Sequence, residues 1–83
     1  MTNDTIAKFV EAGKHKSHNI NIHFKTRNTI NGVFIVTKDY DEMKTKNFWR
    51  IVPNSKVEEW KATKDLSLSR LFNGAEFTRL SEA

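Results

Sequence analysis

Seven basic side chains crowd the stretch 14–27: Lys14, Lys16, Lys25 and Arg27, with His15, His18 and His23 among them and no acid in those fourteen positions. Lysine and arginine pair with phosphate and release condensed counterions, so such a stretch offers salt-dependent binding of a polyanion. Imidazoles beside them stack on bases or add charge in mild acid. A second grouping places Trp49 near Lys46 and beside Arg50, where an indole face would stack on a base and the cations would meet its phosphates. The candidate nucleic-acid-binding residues are therefore Lys14, Lys16, Lys25, Arg27, Trp49 and Arg50. The same cations also suit a solvated basic surface, and Trp49 also suits a core or subunit contact.

Other chemistries find little support. The spacing His15-x2-His18-x4-His23 lacks the accompanying thiol or carboxylate of a zinc site, so no metal is expected. Asp39, Asp41 and Glu42 form a dense acidic cluster without the ordered ligands and glycine of a calcium loop, and Lys38, Lys44 and Lys46 balance its charge. Three widely separated glycines make no phosphate loop. Glu58 and Glu59 are neighbours on an expected strand, face opposite ways and cannot work as an acid–base pair. The expectation is a non-catalytic binding module with no cofactor and no small-molecule substrate.

The elements that would position the basic stretch follow from periodicity. Ile20, Ile22 and Phe24 recur every second residue with Asn21 and His23 between them, which predicts a strand over 19–26 with one oily face. A turn at Arg27-Asn28-Thr29 leads to a second strand over 30–36. There Ile30, Phe34 and Val36 share a face with Gly32, and Val33 and Ile35 share the other, as in a strand covered on both sides or bent through a barrel. Ahead of them Ile6, Phe9 and Val10 recur at helical spacing, with Asn3 or Asp4 as cap and Gly13 as stop.

Further along, 38–47 reads as a polar loop and 48–52 as a third strand ended by Pro53-Asn54-Ser55. A fourth strand is expected over 57–63, with Trp60 and Ala62 on one side. Between Asp65 and Gly74 a helical turn over 66–72 is favoured over a strand that turns at Asn73-Gly74, and 76–80 forms the last strand.

Composition bounds the size of this object. Eighty-three residues, 37% hydrophobic and 11% aromatic, make a single domain (1–83) with a modest core, which self-association would help to stabilise. There is no cysteine, hence no disulfide framework or thiol chemistry. The net charge of +4 lies in the first part of the chain: residues 1–50 carry nine basic and five acidic groups, the remainder five of each. No apolar run nears the roughly 18 residues of a membrane span, and the start lacks signal-peptide features. The expected location is cytoplasmic, with no membrane partner.

A helix over 4–12, then Ile20–Phe24, a short turn and Ile30-Asn31-Gly32-Val33 resemble the first motif of the Sm-like (Hfq/Sm-type) small β-barrel family. Leu71-Phe72-Asn73-Gly74 is similar to its second motif, although that motif has arginine before the glycine. The Lys-His pair of the Hfq-type pore has no counterpart here, and 38–47 is longer and more charged than the Hfq turn. The resemblance implies a mainly β fold: a small five-stranded Sm-like or Src-homology-type barrel with a short N-terminal helix and a one-turn helix before the last strand. It also implies a ring-forming homo-oligomer that binds single-stranded RNA with loop residues. A protein-interaction or self-assembly module without a nucleic-acid ligand remains the alternative.

Overall fold

The structure, a computed structural model, describes residues 1–12 and 19–82. A first helix, α1 (Asn3–Glu11), precedes the strands β1 (Ile20–Phe24) and β2 (Ile30–Phe34). A second helix, α2 (Tyr40–Thr45), leads into β3 (Phe48–Pro53), and α3 (Val57–Thr63) follows. The strands β4 (Arg70–Asn73) and β5 (Phe77–Glu82) end the chain. Single 3₁₀ turns at Asn54–Lys56, Leu66–Leu68 and Gly74–Glu76 occupy three of the connections. The strands form one antiparallel sheet in the order β4-β3-β2-β1-β5.

That order is open, with β4 and β5 at opposite edges and no ladder between them, so the sheet does not close into the expected barrel. It is nevertheless strongly curled. In a flat sheet four strand spacings would separate the edges by about 19 Å, whereas the chain from Asn73 to Phe77 reaches at most roughly 14 Å. Curling brings the Phe24 ring of β1 within 5.6 Å of the Phe72 ring of β4, across the interior. The helical Gly74–Glu76 turn takes up the residues that would otherwise extend the β4 and β5 ladders towards each other.

Alternation along β1 holds as expected: Ile20 and Ile22 are buried, while Asn21 and His23 lie on the outer face. α1 lays Ile6, Ala7 and Val10 into the concave side against Ile20, Ile22, Trp49, Ile51, Phe72 and Phe77. Its cap is Thr2, whose hydroxyl accepts from the Thr5 N–H at 3.3 Å, rather than Asn3 or Asp4. Gly13, the expected stop, lies outside the described residues. β2 is covered on both sides, as its sequence requires. Ile30 and Phe34 join the concave core, and Val33 and Ile35 meet Val52, Val57 and Trp60 on the other face.

The cover on that outer face is α3, and it corrects the fourth-strand expectation for 57–63. Val57 and Trp60 stand three apart, on one side of a helix but on opposite sides of a strand, and both turn towards the outer cluster. Glu58 and Glu59 in the first turn and Lys61 in the last complement the helix dipole. Lys64 then ends the helix in the left-handed region (φ 56°), its N–H bonded to the Trp60 carbonyl at 2.7 Å. The fourth strand instead begins at Arg70, after the Leu66–Leu68 turn. The favoured helical turn thus occupies only the start of 66–72. Asn73-Gly74, expected as the stop of that turn, instead opens a 3₁₀ turn at Gly74–Glu76 before the last strand, where the Asn73 Oδ1 accepts from the Ala75 N–H at 2.9 Å. Likewise the supposed loop at 38–47 contains α2.

One residue ties these parts together. Asn47 takes φ 62°, turning the chain from α2 into β3. Its carbonyl accepts from the Gly74 N–H at 2.7 Å, and its Oδ1 accepts from the Trp49 indole N–H at 2.8 Å. Its Nδ2 donates to the Met1 carbonyl at 3.1 Å. Gly74 sits so close that a Cβ there would lie 2.6 Å from Ile6 Cδ1 and 2.8 Å from Trp49 Nε1. At Gly32 a Cβ would lie 2.6 Å from the Val52 carbonyl oxygen.

Gly74→Ala and Gly32→Ala should each lower the unfolding free energy by about 1–3 kcal/mol, the usual cost of overpacking a filled core. Urea titration followed by tryptophan fluorescence checks this; wild-type midpoints would show that the backbone relaxes freely at these positions.

Candidate nucleic-acid interface

Of the six residues singled out by the sequence, the four that are described do not assemble into one surface. Lys14 and Lys16, with His15 and His18, lie outside the described residues. Lys25 and Arg27 stand exposed in the bend that follows β1. The Lys25 N–H donates to the Glu76 carbonyl at 3.0 Å, which fixes the base of this bend beside the Gly74–Glu76 turn. The Arg27 guanidinium lies over two rings, 5.4 Å from the Phe24 centroid and 5.9 Å from that of Phe72.

Trp49 is no contact aromatic. It is 2% exposed and packs edge-on to Phe34 and Tyr40 at ring distances of 6.3 and 5.9 Å. Neighbouring strand residues face opposite ways, and at 48–49 it is the tryptophan that turns into the concave core, where Asn47 satisfies its N–H. Arg50 is also committed within the protein: Nη2 and Nε bond the two carboxylate oxygens of Asp39 at 2.7 and 3.2 Å. These bonds, with a further one from the Thr37 hydroxyl, lower the Asp39 pKa to about 2.

On the outer face His23 bridges β5 and the β1–β2 bend. Its Nδ1 meets the Thr29 hydroxyl at 3.1 Å and its Nε2 meets Arg79 Nη2 at 3.3 Å. Among the described residues no three His, Cys, Asp or Glu side chains are placed to hold a metal ion.

Two cavities with shared lining open along β4, one towards the β1–β2 bend and the other towards the turn at 53–56. One, of about 340 Å³, is lined by Phe24, Thr26, Arg27, Arg70, Leu71, Phe72, Asn73 and Glu76. The other, of about 450 Å³, lies among Ile30, Pro53, Ser55, Lys56, Ser67, Leu68, Arg70 and Phe72. They share Arg70 and Phe72, which alternate on β4 and so project to one side. Among the described residues, none of Arg27, Arg70 and Lys56 forms an ion pair with a carboxylate; the ion pairs there are Lys44–Glu11, Lys46–Glu42 and Arg50–Asp39. Glu76 is the one acid lining either cavity.

Arg70 and Lys56 escaped the sequence reading because they lie in segments expected to be a helical turn and a plain turn. The pattern Arg70-x-Phe72, a cation and an aromatic on one face of a strand, was the available signal. It becomes visible only once 70–73 is known to be extended.

No protein-family model, curated protein or solved structure matches the chain. The class defined by its own geometry is a small curled-sheet domain with a cationic, aromatic-floored groove at one mouth of its interior. Among the described residues no helix is long and apolar enough to cross a membrane.

Asp39 has a folded-state pKa below the ordinary 3.8, so its contribution to stability is complete above that value and is lost as pH falls towards about 2. Asp39→Asn should flatten the acid limb of the stability–pH curve in that window, as read by thermal unfolding. Arg50→Ala should lower the melting temperature by removing the same pair; an unchanged melting temperature would show that the pair adds nothing to stability.

Proposed function

We propose that this domain is a non-catalytic module that binds single-stranded nucleic acid, RNA in preference, in the groove between the β1–β2 bend and β4. The observation that carries this reading is the Arg27 guanidinium held over Phe24 and Phe72 on the wall of a cavity that Arg70 also lines. A guanidinium plane is a stacking surface for a base, its N–H groups are donors for phosphate, and unpaired bases are what such a surface receives. Lys25, exposed in the same bend, adds a phosphate contact. Support for an Sm-like relationship comes from the strand order, the N-terminal helix and the 3₁₀ turn before the last strand. On that reading the curled sheet is an open barrel of the Sm-like type, and the preference for RNA follows from the kinship.

A self-assembly module is the second reading, favoured by Leu71, which is 46% exposed on the edge strand β4. Exposed apolar residues on an edge strand invite pairing with another chain. Sedimentation separates the two, since a defined oligomer indifferent to RNA would support assembly alone.

Titration of a labelled single-stranded RNA at two salt concentrations tests the leading reading. Affinity should fall steeply with salt, and the double variant Lys25→Ala/Arg27→Ala should reduce the slope of log K against log salt by about 1.4, the release expected for two phosphate contacts on a single strand. The variant should stay folded with a melting curve only slightly below that of the wild type, because both side chains are exposed and Arg27 loses only its ring contacts, worth about 0.5–1 kcal/mol. Equal affinity of variant and wild type would remove these two residues from the interface.

A further inference from the structure

Resting on the nucleic-acid reading, we infer that the groove is a two-nucleotide site, with Arg70 as the clamp for the phosphate that links the two nucleotides. The two cavities each fall near the lower end of the roughly 300–1,000 Å³ typical of ligand sites, enough for one nucleotide apiece. Arg70 belongs to both, so a group bonded to it lies between their occupants. Phe72 belongs to both as well, so a cation and an aromatic ring stand together where the cavities meet.

Arg70 is exposed and has no ion pair among the described residues, so binding a phosphate breaks no such internal pair. Glu76 in the first cavity sets the orientation. A carboxylate repels phosphate but accepts from an exocyclic amine, so the base edge, not the backbone, faces that wall. The ligand class is therefore a short single strand with an amino-bearing base in the first cavity, and cytidine oligomers are suitable probes.

Calorimetric titration of the intact protein with cytidine monophosphate and with cytidine di-, tri- and hexanucleotides, each 5′-phosphorylated, reads the site length. The dinucleotide should bind about tenfold tighter than the mononucleotide, the worth of one charged hydrogen-bonded contact. The trinucleotide and hexanucleotide should add little beyond the statistical gain. Arg70→Ala should return the dinucleotide to the mononucleotide affinity, and Arg70→Lys should restore part of the loss. If the hexanucleotide binds but the dinucleotide is no tighter than the mononucleotide, or if R70A binds as wild type, the two-nucleotide site is wrong while the nucleic-acid reading stands. If the hexanucleotide does not bind at low salt, both fall.

Discussion

Asn47 is the constraint on which the arrangement rests, because its backbone and side chain tie the α2–β3 junction to the β4–β5 connection, to Trp49 and to the start of the chain. Its left-handed backbone starts β3 directly from the end of α2, and its carbonyl takes up the N–H of Gly74 at the connection between the two edge strands. The side-chain amide meanwhile satisfies the indole of Trp49 and reaches the Met1 carbonyl at the start of α1. A hydrophobic core alone would not select this arrangement. The Asn47 carbonyl holds the β4–β5 connection through the Gly74 N–H while its side chain holds the Trp49 indole beneath, leaving room there for nothing larger than glycine.

The central strands then have two faces to bury, and the helices divide them. α1 fills the concave side with Ile6 and Val10, whereas α3 brings Val57 and Trp60 to the strip formed by Val33, Ile35 and Val52. Where α3 does not reach, the outer face is polar, with Asn31 bonded to Asn21 and His23 spanning Thr29 and Arg79. The groove appears at the mouth of the interior that neither helix covers, between the β1–β2 bend and β4.

Much of the first half of the fold was legible in the sequence, for a physical reason. The alternation Ile20-Ile22-Phe24 and the two-faced run from Ile30 to Ile35 each admit one solution, a strand with one or two buried sides. The second half was not, because 57–63 carries its apolar residues at a spacing that a short segment presents weakly. Val57 and Trp60 are the only two that matter, and the turn signal Pro53-Asn54-Ser55 precedes helices and strands alike. The site was legible only in part. Lys25 and Arg27 flank or line the groove, but Trp49 and Arg50 were assigned from adjacency, which says nothing of the side of the strand or of Asp39 eleven residues earlier. Arg70 needed the tertiary fold, since only curling brings β4 opposite the β1–β2 bend.

The stacking of Arg27 on Phe24 and Phe72 carries a thermodynamic consequence. A free arginine side chain samples many rotamers, and restraining it costs up to roughly 2 kcal/mol. Here two rings already restrain it before any guest arrives, so much of that entropy is surrendered when the chain folds. On the proposed reading, a side chain placed in advance leaves less ordering to be done on binding.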